Sequence, residues 1–308
     1  MTSTDAASPV PLASVVSIGV FDGVHRGHQA LLAAARERAD ARGLPLVVVT
    51  FDPHPMSVVG PRVAPPSLAS VHRRVELLRE HGADEVRVLA FDEALSHLTP
   101  EEFISRFLVD EVHAHEIVVG EDFRFGHRAA GTVATLQEQG HDMGFTVTAV
   151  GLVGDAQQRW SSTHARALIE SGDAAEAAEV LGREYAIDGT VVHGDHRGRE
   201  LGFPTANLAW PDKPAVPADG VYAGWLDAAR VGFPAAISVG TNPQFLGTER
   251  RVESYVLDRT DLDLYGYPIS VRFVERLRGQ LTFDGLDGLI EQMNSDVALA
   301  RTLLTAGQ

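Results

Sequence analysis

The chain has 308 residues, 44 % of them hydrophobic and 22 % charged, which is ordinary for a soluble globular protein of one or two domains. Its formal net charge is −16 and Lys213 is its only lysine, which argues against a long nucleic acid as partner because no basic stripe could neutralise a phosphate backbone. The absence of cysteine excludes disulfides, thiolate zinc sites and cysteine nucleophiles, and favours a reducing cytoplasm.

Residues 1–14 (MTSTDAASPVPLAS) are polar, contain proline, and lack both a basic start and an apolar core. They predict a disordered lead-in and not a signal peptide. No apolar run approaches the length of a membrane span, so we expect no membrane partner. A small nucleotide stays compatible with the acidic charge, because Mg²⁺ and a few arginines can supply positive charge locally.

Strand and helix patterns alternate through the first half. Apolar runs predict strands at Val15–Val20, Leu46–Phe51, Val86–Phe91, Glu116–Gly120 and Phe145–Val153. Helical patterns cover Arg26–Arg42, Leu68–His81, Pro100–His113 and Ala130–Gly140, the third behind a capping box of Thr99 and Glu102. The alternation predicts a parallel sheet covered by helices, with ligands bound beyond the carboxyl ends of the strands.

The stretch Ser17–Gln29, SIGVFDGVHRGHQ, reads as the end of a buried strand, a glycine-rich turn and the start of a helix. A helix N-terminus presents unpaired N–H groups and partial positive charge, which suits a phosphate. His25 and His28 are three residues apart and can both face that corner. The alternative is a structural joint with two exposed histidines.

Two later loops follow predicted strands. In TFDPHP, the side chains of Phe51 and His54 can line a pocket for a flat ligand, and a prolyl turn with packed aromatics is an equal alternative. In VGEDFRFG, Asp122 and Phe125 belong to a loop that offers a ring-stacking surface beside polar groups, or is merely structural.

The segment WSSTHARALIESGD follows the fifth strand. We expect Ser162 or Thr163 to cap the helix that begins here, with Arg166 one turn inside it, which makes a second phosphate site. Gly172 ends this helix. Asp173, with Glu176, is expected to cap the next helix, so that Ser161–Gly182 forms a helical hairpin closing the first domain.

The pattern changes after Gly182. Short alternating segments lie at Tyr185–His193, Val221–Asp227, Ala235–Gly240, Arg251–Asp258 and Ile269–Leu277. Together they predict an antiparallel sheet or small barrel, followed by a helix over Phe283–Leu304. The domain boundary is expected near Arg183–Ala186.

Two features of this half carry candidate chemistry. Gly194–Leu208 (GDHRGRELGFPTANL) reads as a glycine- and proline-rich loop whose Thr205 and Asn207 offer neutral oxygens to Mg²⁺ and phosphates, or as a structural loop. No GxxxxGK[ST] sequence occurs, so it is not a standard P-loop. Glu253 lies on a half-buried strand face with Tyr255 and Leu257, an environment that suits a general base, although exposed strand glutamates are commoner.

Seven segments in order carry a resemblance: GVFDGVHRGH, TFDPHP, VGEDFRFG, SSTHAR, GRELGFPTANL, DGVY and VESYVLD with DLYG. From about Val15 to Arg301 the chain closely resembles the bifunctional prokaryotic riboflavin kinase/FMN adenylyltransferase family, also called FAD synthetase. The resemblance implies a parallel α/β sheet domain of nucleotidyltransferase type at 15–184. A Greek-key β-barrel kinase domain with a C-terminal helix follows at 185–308.

The resemblance also implies roles for residues of the first domain. ATP is assigned to Gly19, Phe21, His25, His28, Ser162, Thr163 and Arg166, among which His25, His28 and Arg166 are catalytic. The flavin is assigned to Phe51, Asp52, Pro53, Asp122 and Phe125. Trp160 and Ala165 depart from the family's usual ISSTxIR pattern, where isoleucines stand, and this leaves the pocket shape open.

In the kinase domain the resemblance assigns ATP to Gly198, Gly202, Phe203, Pro204, Thr205 and Asn207. Mg²⁺ is assigned to Thr205 and Asn207, and the catalytic base is Glu253. The implied activity is phosphorylation of riboflavin to FMN, followed by adenylyl transfer from ATP to FMN, which gives FAD and pyrophosphate. The residue types fit, because a hydroxyl nucleophile needs a base whereas an ionised phosphate nucleophile needs cations.

Two rival hypotheses remain at this point. One is a nucleotidyltransferase for another phosphate acceptor, and the other is a flavin-binding protein without catalysis. The sequence also leaves open a weak or transient homo-oligomer, transfer of product between the sites, and the relative rates of the two reactions.

Overall fold

A computed structural model describes residues 13–59, 63–151, 154, 159–194, 202–210, 213–241 and 250–306. The chain forms two compact units, one built from residues 1–65 and 71–160 and the other from residues 66–70 and 161–308. The predicted boundary between two catalytic domains after residue 184 stays a prediction. Gly198, expected to bind ATP, lies outside the described residues.

The first unit is a parallel α/β sheet, as predicted. Its strands are β1 (Ser14–Ile18), β2 (Leu46–Asp52), β3 (Glu85–Ala90), β4 (Ala114–Gly120) and β5 (Thr146–Val150). Its helices are α1 (Arg26–Arg42), α2 (Val71–Glu80), α3 (Glu93–Ser96), α4 (Pro100–Phe103) and α5 (Val133–Met143). The strands pair in the order β3-β2-β1-β4-β5. The order reverses between β1 and β4, and such a switch point opens a crevice at the carboxyl ends of the strands.

The central strands are buried, which explains their unbroken apolar runs. All of β1 is buried, and so is β2 from Leu46 to Phe51. Parallel strands covered on both faces need apolar residues at successive positions, whereas a half-exposed strand alternates. Val15 of β1 pairs with both Leu46 and Glu116, which fixes the register of its two neighbours.

Two predicted helices differ in detail. The capping box of Thr99 and Glu102 is present, but α4 continues as a π-helix over Ile104–Glu111 where one α-helix was predicted. The helix expected from Leu68 begins at Val71. Residues 66–70 belong instead to the second unit, where Ser67 donates its N–H to the Lys213 carbonyl at 2.9 Å.

The second unit is a closed antiparallel barrel with helices on its outside. Its strands are β6 (Tyr185–Val192), β7 (Thr205–Ala209), β8 (Gly220–Ala228), β9 (Val231–Gly240), β10 (Arg251–Val256) and β11 (Pro268–Arg278). They close in the order β10-β7-β6-β11-β8-β9. Its helices are α6 (Ser162–Ser171), α7 (Ala174–Leu181) and α8 (Leu286–Ala306).

One strand of the barrel was not predicted. The segment Gly194–Leu208 was interpreted as a loop, and this is wrong from Thr205 onward, because β7 pairs with β6 and β10. Glycine, proline and asparagine lower its strand propensity, and the two neighbouring strands overcome that preference. The correction matters because it places Thr205 and Asn207 on a rigid element.

The hairpin of α6 and α7 is present, and Gly172 and Gly182 end its helices in the left-handed conformation with φ of 91° and 71°. It lies with the barrel, where α7 packs on β6 and β11. The cap expected at Ser162 or Thr163 is wrong, because Ser161, one residue earlier, accepts from the His164 N–H at 3.1 Å. Asp173 is the N-cap residue of α7 as predicted, but its side chain makes no capping hydrogen bond and accepts from the Ser171 hydroxyl.

Glu116 joins the sheet to the end of α1. It is buried on β4, accepts from the Thr148 hydroxyl at 2.7 Å, and lies 2.7 Å from Nη2 of Arg42. We expect Glu116→Ala to lower the free energy of unfolding by about 2 kcal/mol, because it removes the acceptor of a half-buried hydroxyl and breaks a partly buried ion pair. Urea titration followed by circular dichroism measures this.

The matched control for Glu116→Ala is Glu138→Ala, at an exposed position of α5. A surface substitution of this kind should change the free energy of unfolding by less than about 0.5 kcal/mol. Equal stability of the two variants would contradict the role given to Glu116.

Candidate active sites

The corner between β1 and α1 is shaped by close packing. Phe21 is buried at φ 51°, and its ring lies edge-on to His28 with 5.0 Å between the ring centroids. A Cβ atom at Gly19 would come within 3.2 Å of the Phe21 ring, so a larger residue would displace it. Gly19 and Phe21 therefore support the corner, and their predicted contact with ATP stays a prediction.

His25 and His28 lie together at the start of α1. Their rings are stacked with centroids 3.7 Å apart and planes 25° apart. His25 is the N-cap residue, and its Nδ1 accepts from the backbone N–H of His28 in a long bond of 3.4 Å. This bond assigns the ring proton of neutral His25 to Nε2, which can then donate to a ligand oxygen.

The surroundings of His28 favour its neutral form. Burial, and secondarily the neighbouring His25, lower the pKa of His28 well below its ordinary value. Its Nδ1 is buried and has no hydrogen-bond partner within the described part of the chain. A neutral imidazole still has one N–H to donate, so the pair can bind phosphate oxygens without being charged.

Trp160 lies beside the same corner. The Arg26 guanidinium carbon is 5.5 Å from the centroid of the Trp160 ring, within the range of a cation–π contact. A Cβ atom at Gly27 would come within 3.0 Å of the His25 ring and 3.2 Å of the Trp160 carbonyl oxygen. The departure from the family's pattern at Trp160 is thus a packing change next to the histidines.

The residues expected to bind flavin divide into buried and exposed sets. Phe51 and Phe125 are both 8 % exposed and belong to one core cluster, whereas Asp52 and Pro53 are exposed. The exposed carboxylate of Asp122 pairs with Arg159 at 2.7 Å. Their role in flavin binding stays a prediction.

The second nucleotide motif lies in the second unit, at the start of α6. Ser162 and Thr163 are in its first turn. Arg166 is buried, and its Nε donates to the Pro66 carbonyl at 2.8 Å. Because His25 and His28 belong to the first unit, joint binding of one ATP by both motifs stays a prediction.

The kinase residues meet on two paired strands. Glu253 of β10 is directly opposite Asn207 of β7, and Tyr255 is opposite Thr205. The Thr205 hydroxyl donates to Oε2 of Glu253 at 3.3 Å. Opposite positions of an antiparallel pair point to the same face, so three oxygen-bearing side chains share one face of the barrel wall.

Neighbouring residues shape that face. A Cβ atom at Gly194 would lie 2.3 Å from Nδ2 of Asn207, so only glycine leaves room for the amide. Buried Phe203 packs edge-on against Tyr255 with 5.2 Å between centroids. Gly202, at φ 86°, and Pro204 complete the approach to Thr205.

Two classes of site can be tested among the described residues. No group of three or more His, Asp or Glu in those residues could hold a metal ion, so the oxygens of Thr205 and Asn207 would have to be supplemented by substrate phosphates. Within the same residues, no helix is long and apolar enough to cross a membrane.

Two family models match the chain in succession, FAD synthetase over residues 8–164 and riboflavin kinase over residues 181–304. Curated relatives named as bifunctional riboflavin kinase/FMN adenylyltransferase align over nearly the whole chain. The Escherichia coli K12 protein is 37 % identical over 93 % of this chain and 91 % of the relative. The Pseudomonas fluorescens protein is 39 % identical over 94 % and 92 %.

The Bacillus subtilis relative of the same name is 32 % identical over 92 % of this chain and 90 % of its own. A crystal structure from Streptococcus pneumoniae, titled a macrolide-efflux protein, superposes with a TM-score of 0.86 at 34 % identity over 96 % of both chains.

The neutral state of His28 can be measured directly. Because its pKa is lowered, its ring signals should stay those of a neutral imidazole as the pH falls through about 6.5, where a free histidine titrates. NMR of ¹⁵N-histidine-labelled protein tests this, with the signal assigned by its loss in His28→Gln.

A second variant tests the cause of the lowered pKa. His25→Gln removes the electrostatic effect of the neighbouring imidazole and should raise the pKa of His28 part of the way, while burial continues to lower it. A midpoint near 6.5 for His28 in the unmodified protein would contradict the burial argument.

Proposed function

Because the chain belongs to the bifunctional riboflavin kinase/FMN adenylyltransferase family, we propose that its two sites divide the work between residues identified above. The protein phosphorylates riboflavin to FMN with ATP and adenylylates FMN to FAD, releasing pyrophosphate. The observation that supports the division is chemical. A carboxylate beside neutral oxygens lies on the barrel, and paired imidazoles lie at the start of α1.

In the kinase, Glu253 acts as general base. It takes the proton from the 5′-hydroxyl of the ribityl chain, the oxygen attacks the γ-phosphorus of ATP, and ADP leaves. Thr205 donates to the same carboxylate and so orients it. The paired strands keep Glu253 and Asn207 in fixed register, which is the positioning this reaction requires.

We assign Mg²⁺ to the kinase site, held by Thr205 and Asn207 together with ATP phosphates. Hydroxyl and amide oxygens are suitable Mg²⁺ ligands, and both side chains share the face that carries Glu253. When bound, the ion would neutralise charge on the γ-phosphate. Gly202, Phe203 and Pro204 form the described approach to this site, and Gly198 completes the proposed ATP-binding set.

In the adenylyltransferase, a phosphate oxygen of FMN attacks the α-phosphorus of ATP and pyrophosphate leaves. The nucleophile is already ionised at neutral pH and needs no base. His25 and His28 donate N–H groups to the ATP phosphates, assisted by the N–H groups of α1. Ser162, Thr163 and Arg166 of the second motif stay assigned to ATP. Gly19 and Phe21 support this binding.

Flavin binding to the first unit is assigned to the loops after β2 and β4. The proposed residues are Phe51, Asp52, Pro53, Asp122 and Phe125. Cytoplasmic location is a proposal that rests on the absence of cysteine, and absence of nucleic acid as a partner is one that rests on the net charge of −16. A weak or transient homo-oligomer stays open.

Two alanine variants separate the sites. His28→Ala should slow FAD formation by about 10²-fold or more and leave FMN formation intact. Glu253→Ala should slow FMN formation by about 10³-fold and leave FAD formation from supplied FMN intact. Chromatography of reactions started with riboflavin or with FMN measures both, and loss of both activities in either variant would refute two independent sites.

The metal assignment has its own test. Asn207→Ala should raise the Mg²⁺ concentration for half-maximal kinase rate by about tenfold. The Mg²⁺ dependence of adenylyl transfer should stay unchanged. Asn294→Ala, at an exposed position of α8, is the matched control. An unchanged Mg²⁺ dependence of the kinase in Asn207→Ala would remove Asn207 from the metal site.

A further inference from the structure

Arg74 of α2 bridges the backbone just after β1 and the end of β2. Only 5 % of it is exposed. Its Nη1 donates to the Val20 carbonyl and its Nη2 to the Phe51 carbonyl, each at 2.9 Å. Val20 immediately precedes the turn that carries His25 and His28, and Phe51 immediately precedes Asp52 and Pro53. One planar group therefore holds the starting points of two loops.

The Val20 carbonyl accepts a second hydrogen bond. The Thr50 hydroxyl of β2 also donates to the Val20 carbonyl, at 2.9 Å. The two loop origins are thus joined both by neighbouring strands and by a charged side chain from a helix. A charge-assisted hydrogen bond is stronger and more directional than a neutral one, and a bidentate guanidinium adds geometric specificity.

Burying this guanidinium is unfavourable in isolation. Burial lowers the pKa of Arg74, and the negative charges of Asp22 and Asp52 oppose that effect. Its Nε is buried without a hydrogen-bond partner in the described residues. An exposed arginine would stay hydrated, so burial of Arg74 costs desolvation free energy.

We propose that Arg74 is a positioning residue for adenylyl transfer, which sets the spacing of the phosphate-binding loop and the flavin-binding loop. It touches neither substrate. It acts through the Val20 and Phe51 carbonyls, whose loops present His25 and His28 on one side and Asp52 and Pro53 on the other. The inference rests on the proposed assignment of these loops to ATP and FMN.

The spacing of two bound substrates is what this reaction requires. The FMN phosphate must approach the α-phosphorus of ATP in line, and a displacement of about 1 Å can cost about 10²-fold in rate. A residue that fixes only one loop would alter the binding of one substrate. Arg74 fixes the first residues of both loops, so its loss should weaken the binding of both substrates.

The test is Arg74→Met, measured by steady-state kinetics of both activities in the full chain. We expect kcat/KM for adenylyl transfer to fall about 10²-fold, with higher KM values for both ATP and FMN. Kinase kcat/KM with riboflavin should stay within about twofold of the unmodified protein. Arg73→Met is the matched control, because Arg73 is the next residue of α2 and pairs with Glu76 and Glu80 on the helix surface.

A purely structural role predicts a different pattern. Fewer folded molecules would lower kcat for adenylyl transfer and leave both KM values unchanged, and that result would overturn the proposal. Arg74→Lys is the second variant for the case in which Arg74→Met does not fold. Lysine retains the charge of arginine but not its planar guanidinium. Arg74→Lys should therefore raise both KM values and lower kcat/KM for adenylyl transfer by about tenfold, less than Arg74→Met does. A folded Arg74→Lys protein with unmodified constants would also overturn the proposal.

His28→Ala, measured in parallel, separates this proposal from the site assignment beneath it. If His28→Ala retains adenylyl transfer, the assignment of the loop to ATP fails and the inference fails with it. If His28→Ala is inactive and Arg74→Met has unmodified constants, only the inference about Arg74 fails.

Discussion

The first unit depends on a histidine that caps its own helix. His25 accepts the N–H of His28 and stacks against the His28 ring, so one short segment forms the N-terminus of α1 and presents two imidazoles there. The cap also fixes the His25 tautomer, because its Nδ1 is occupied as an acceptor. Gly27 lies between the two histidines because any Cβ atom there would press on the His25 ring. The helix start and the proposed phosphate site are thus one structure.

The two proposed reactions need different charges, and the chain offers different groups for each. Neutral imidazoles and helix N–H groups suit the approach of two phosphates, since they stabilise negative charge without needing to be ionised themselves. The barrel instead sets a carboxylate opposite an amide across paired strands, where Glu253 faces Asn207. The imidazole pair and the carboxylate thus lie on different elements, in a chain whose net charge is −16.

Elements that depend on local sequence signals, such as helix periodicity and capping, could be predicted from the sequence. The helix Arg26–Arg42 agrees at both ends with its pattern, and the capping box of Thr99 and Glu102 forms as predicted. Long-range pairing accounts for several errors. Thr205 lies in a strand only because β6 and β10 flank it, and α2 begins late because Ser67 pairs near Pro214.

Residues of the candidate sites likewise divide into those marked by a local motif and those that only long-range packing reveals. Motifs single out His25, His28, Thr205, Asn207 and Glu253 as candidates, because these residue types can carry the proposed chemistry. Arg74 carried no such signal, because one arginine in an amphipathic helix looks like a surface residue until the strand ends beneath it are known. Only the folded chain shows that it joins the carbonyls of Val20 and Phe51, which lie 31 positions apart in the sequence.

Burial also changes what an arginine can do in an acidic protein. Arg272, on the barrel, lies beside the carboxylates of Glu184 and Asp227, which neutralise its charge locally. Arg74 and Arg166 are buried, and the bonds given above run to backbone carbonyls. A carbonyl fixes the orientation of a guanidinium without cancelling its charge, whereas a carboxylate does both. The local surroundings of each buried guanidinium therefore differ within this chain, and the net charge of the whole molecule is a poor guide to them.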